Sequence, residues 1–187
     1  MKIPTTYAEW SVCLDLFESG GSDDEAIEAM QTGSLSWTGG VAPLFARRTS
    51  ETVDVRLKRI AEGMSRALHL GGDATTLARA MLDARQKLVS VYRFATLPVF
   101  ADELRESLQK QVAQYAETAQ KALEDSAKHD RSGQLASAVR NSSLLHFRGS
   151  VAATEAPAGG PQAATPRTST NNNTSVATQQ RRRNILT

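Results

Sequence analysis

The chain has 187 residues, 40% of them hydrophobic and 22% charged, with a net charge of +2. That composition supplies one hydrophobic core and excludes a chain disordered from end to end. The one cysteine, Cys13, rules out an intramolecular disulfide and a cysteine-rich zinc site.

Aromatic residues make up only 5%, so Leu, Val, Ala and Met must fill the core, and helices accept most of these readily. Gly-Gly pairs at 20–21, 39–40 and 71–72 read as element boundaries, because glycine tolerates the left-handed turn that ends helices. A first helix is expected from Tyr7 to Glu18. Thr6 and Glu9 form a capping-box pattern, and Tyr7, Trp10, Leu14 and Phe17 share one stripe. A short second helix is expected after Ser22, with Glu25 three residues on, ending near Gly33.

The stretch 41–60, VAPLFARRTSETVDVRLKRI, permits two readings. A break at Arg48-Thr49-Ser50 would make a helix-turn-helix with Arg56 and Arg59 reading bases. Against it, Glu51 and Asp54 would stand where phosphates and base edges are met, and the turn holds no glycine. One continuous helix from Val41 to Leu70 explains more. On it Val53, Leu57, Ile60, Met64, Ala67 and Leu68 fall on one face. Arg47, Arg48, Lys58, Arg59 and Arg66 lie opposite, with Arg56 at the margin. Leu44 and Phe45 fall off the stripe.

A helix over 73–95 follows, capped by Asp73, with Leu77, Met81, Ala84, Leu88, Val91 and Ala95 at steps of four and three. Thr96-Leu97-Pro98 interrupts it. The next helix, 101–130, repeats Leu104, Leu108, Val112, Tyr115, Ala119 and Ala122, and at 1.5 Å per residue would be about 45 Å long. Its Glu106–Lys110, Glu117–Lys121 and Glu124–Lys128 spacings suit ion pairs. One more short helix is expected within 134–149. From Ser150 the chain is mostly Ala, Thr, Pro, Ser, Asn and Gln, a composition expected to stay disordered.

Charge is unevenly spread. Residues 1–40 hold one base and seven acids, and residues 41–72 six bases and three acids. Such asymmetry marks either a surface for a charged partner or an acidic N-terminus folded against basic helices.

Catalytic patterns are weak. Ser107-Leu108-Gln109-Lys110 matches the S-x-x-K string of penicillin-recognising serine enzymes but lacks its companion motifs. His69, His129 and His146 lie in different elements at no metal-ligand spacing, and no glycine-rich phosphate loop occurs. Cys13, beside an apolar stripe, reads as a small buried hydrophobe. No catalytic residue, cofactor site or metal site is expected.

The expected fold is all-α: a helical bundle with coiled-coil-like spacing, built on three long amphipathic helices. Residues 1–40 form an acidic helical segment packed on it, 41–148 the bundle core, and 149–187 a disordered tail. With no transmembrane run and no signal-peptide core, a cytoplasmic setting is expected. The expected role is a non-enzymatic helical interaction protein (adaptor, chaperone-like factor or assembly component) whose partner is another protein or a second copy. Leu144, Leu145 and Phe147, the last bulky apolar cluster before the tail, either fold back into the bundle or dock a partner. The alternative is a nucleic-acid-associated regulator. It would use Arg47, Arg48, Arg56, Arg59 and Arg66 with the tail residues Arg181, Arg182 and Arg183.

Overall fold

A computed structural model describes residues 2–35, 40–69, 73–130 and 133–149, the side chain of His69 excepted. Among these the chain is all-helical, with no strand. The helices are α1 (Tyr7–Ser19), α2 (Asp23–Gln31), α3 (Val41–His69), α4 (Ala74–Ala95), α5 (Asp102–Ala127) and α6 (Gln134–Asn141). A 3-10 turn, Leu144–His146, follows α6.

Local signals set most of these boundaries. Thr6 accepts a hydrogen bond from the Glu9 amide at 3.3 Å, and the Glu9 carboxylate accepts from the Thr6 amide at 3.1 Å. This capping box satisfies donors that α1 would otherwise leave open. Gly20, in the left-handed region at φ 80°, ends α1. Asp73 caps α4 by accepting from the Thr76 amide at 2.7 Å. The Ser22–Glu25 cap expected for α2 is not built, since Ser22 makes no side-chain cap bond. Asp23, Asp24 and Glu25 instead place negative charge at the positive end of that helix.

α3 is unbroken through Arg48-Thr49-Ser50. Thr49 is fully buried and its hydroxyl donates to the Phe45 carbonyl, one turn back, at 2.8 Å. Its polar group is therefore satisfied within the helix, and no turn forms. The helix-turn-helix reading does not fit this geometry.

α3, α4 and α5 form the three-helix core. α3 and α5 run in the same direction. Ala46 shares a hollow with Leu104, Asp54 accepts from Gln111, and Met64 and Leu68 face Ala122 and Ser126. α4 packs against both. Leu77, Met81, Ala84, Leu88, Val91 and Ala95 are all buried, so the α4 stripe is core along its whole length.

The two grooves beside α4 are filled differently. α1 packs on α3, and α2 packs on α1 and α4. Trp10 lies fully buried, its ring 5.4 Å from Phe45 and 6.2 Å from Phe100, and its indole N–H donates to the Ser34 carbonyl at 3.0 Å. Phe17 stacks on Phe94 at 4.5 Å. Phe45, which does not fit the α3 stripe, is thus core because α1 covers a second face of α3. On the other side, α6 and the 3-10 turn pack against both α4 and α5.

Candidate functional site

The arginines of α3 are the first candidates, and the acidic N-terminal helices engage most of them. Arg48 pairs with Asp15 at 2.6 Å and Glu18 at 2.8 Å. The Asp15 carboxylate, through its hydrogen bond to Arg48, holds the guanidinium above its ordinary pKa. Arg56 is buried, pairs with Asp23, and lies 5.0 Å over the Phe17 ring. Arg59 donates to the Glu18 carbonyl, where the C-terminal end of α1 carries partial negative charge. From α4, Arg93 reaches Asp24 at 2.5 Å.

Two arginines of the set stay within their own helix. Arg47 pairs with Glu51 at 3.3 Å, and Arg66 donates to the Glu62 carbonyl at 3.3 Å. The basic side expected to face outward is therefore divided. Arg48, Arg56 and Arg59 meet the N-terminal segment, while Arg47 and Arg66 stay on the surface. The charge imbalance between residues 1–40 and 41–72 is used inside the fold. Arg181, Arg182 and Arg183, with the expected tail from Ser150 onward, lie outside the described residues, whereas Gly149, where that tail was expected to begin, is described and helical.

The apolar cluster Leu144, Leu145 and Phe147 is split by the 3-10 turn. Leu144 and Phe147 are buried in the core, whereas Leu145 is 45% exposed. Phe147 meets Tyr92 edge-on at 5.3 Å. The Leu144 amide donates to the Gln120 side-chain oxygen at 3.0 Å, and the Gln120 amide donates to Glu124 at 2.8 Å. Fold-back accounts for Leu144 and Phe147, because only Leu145 has a side chain free to meet another molecule. Gln120 is a polar residue that the stripe reading passes over, yet it is buried and ties the 3-10 turn to α5. Its partner Glu124 leaves the expected pair, and Lys128 turns to Asp125 at 2.7 Å.

The third groove of the core, between α3 and α5, is different. No described helix packs on both of them except α4, which lies on their other side. The α5 stripe expected as core is buried at Leu108 and Val112 but only partly covered at Tyr115 and Ala119, and Ala122 is exposed. In that half of α5 the core turns instead to Ala116, Gln120, Leu123 and Ala127. On α3, Leu68 is 36% exposed although it belongs to the apolar face. These side chains line an open apolar hollow of 230 Å³, with Ala61, Met64 and Ser65 as its α3 wall.

Tyr115 stands in this groove. Its hydroxyl is buried and has no hydrogen-bond partner among the described residues. Burial pushes its pKa up to about 12, as expected when a low-dielectric site disfavours the phenolate.

The remaining chemistry-bearing residues sit apart. Cys13 is buried, and burial pushes its thiol up, which suits a packing role. His129 lies at the end of α5, its Nδ1 3.1 Å from the Asp125 carbonyl. Ser107 and Lys110 are exposed on α5. Among the described residues no three His, Cys, Asp or Glu side chains are placed to hold a metal ion. No described helix is long and apolar enough to cross a membrane. No family model, curated protein or solved structure matches the chain.

Proposed function

We propose that this protein is a non-enzymatic helical interaction module, an adaptor or assembly component of the cytoplasm that binds another protein surface through its α3/α5 face. One observation carries the reading. Residues whose spacing marks them as core (Tyr115, Ala119, Ala122 and Leu68) line a groove that no described helix closes. Uncovered apolar surface gathered in one place is what a binding face requires. The two other grooves of the same core are closed by the chain's own helices.

Nucleic-acid binding is the competing reading. It is disfavoured because Arg48, Arg56 and Arg59 are already engaged by Asp15, Glu18 and Asp23. Freeing them for phosphates would break those pairs and uncover Phe17. A labelled DNA duplex titrated with the full chain at several salt concentrations separates the two. The interaction reading expects no saturable binding tighter than nonspecific affinities, about 10⁻⁴ to 10⁻⁶ M at physiological salt. Tighter binding that weakens in proportion to several released counterions would overturn it.

A further inference from the structure

We draw no further inference here: the strongest candidate, the open apolar hollow of 610 Å³ between the N-terminal ends of α3 and α5, lined by Phe45, Phe100 and Leu104 with Glu103 beside them, carries nothing, because nothing in the structure shows what covers it and Glu103, set in the first turn of α5 where the helix end offsets its charge, selects no ligand.

Discussion

Arg56 of α3 and Asp23 of α2 form an ion pair inside the fold, with the guanidinium also resting on the Phe17 ring. Gly20 makes room for it. A β-carbon there would collide with the Arg56 guanidinium, and its φ of 80° is one that other residues adopt at a cost. Asp23→Ala leaves a buried cation without its countercharge, which costs about 3–5 kcal/mol. The double variant Asp23→Ala/Arg56→Met removes both charges and keeps an apolar chain against Phe17. In urea titrations it should be more stable than Asp23→Ala alone. Equal or greater loss in the double variant would show that the pair is not what links α2 to α3.

Leu88 of α4 and Leu108 of α5 are fully buried in the three-helix core. Replacing either with Ala should cost about 2–5 kcal/mol, the range for leucines whose removal leaves a cavity. Lys110→Ala on the outer side of α5 should cost under about 1 kcal/mol. Thermal melts in which the three variants coincide would contradict the stripe assignment.

The 3-10 turn gives a sharper contrast between neighbours. Leu144→Ser and Phe147→Ser each put a hydroxyl among buried apolar groups and should lower the melting temperature. Leu145→Ser, at an exposed position, should leave it nearly unchanged. Gln120→Leu removes the acceptor of the Leu144 amide and should destabilise by about 1–3 kcal/mol, although it makes the core more apolar. A gain in stability from that change would mean the amide finds another partner.

Two groups shape the pH dependence. The Glu9 carboxylate is held well below its usual range, first by Lys2 and then by the Thr5 and Thr6 donors. A depressed folded pKa contributes stability above the unfolded value, near 4.5, that is lost as pH falls below it. Glu9→Gln should therefore flatten the acid limb of the stability curve. Tyr115 acts in the opposite direction. Its contribution is complete below the unfolded value of 10.0 and is lost as pH rises toward about 12. Tyr115→Phe should flatten the alkaline limb. If both limbs keep their slopes, other groups control the titration.

The long helices were legible because their cores repeat on a single stripe, as Leu77 to Ala95 does along α4. The capping signals of Thr6 and Asp73 were legible for the same reason: they act within one turn of the chain. What depends on distant packing was not. Phe45 and Arg56 look marginal on a helical wheel because the wheel assigns one buried face, whereas α3 is covered both by α4 and by α1. Gln120 looks like surface until α6 and the 3-10 turn return along α5. The groove is hidden for the converse reason. Tyr115, Ala119 and Ala122 have core spacing, and spacing cannot reveal whether a partner helix is present.

The most direct measurement places a photo-crosslinking amino acid at position 122, and separately at Gln86 on the exposed side of α4. Both versions of the full chain are then irradiated in the cells that make the protein. If the α3/α5 face is the binding surface, position 122 gives discrete protein adducts and position 86 gives few or none. Equal yields from the two positions, or adducts to nucleic acid in place of protein, would contradict it.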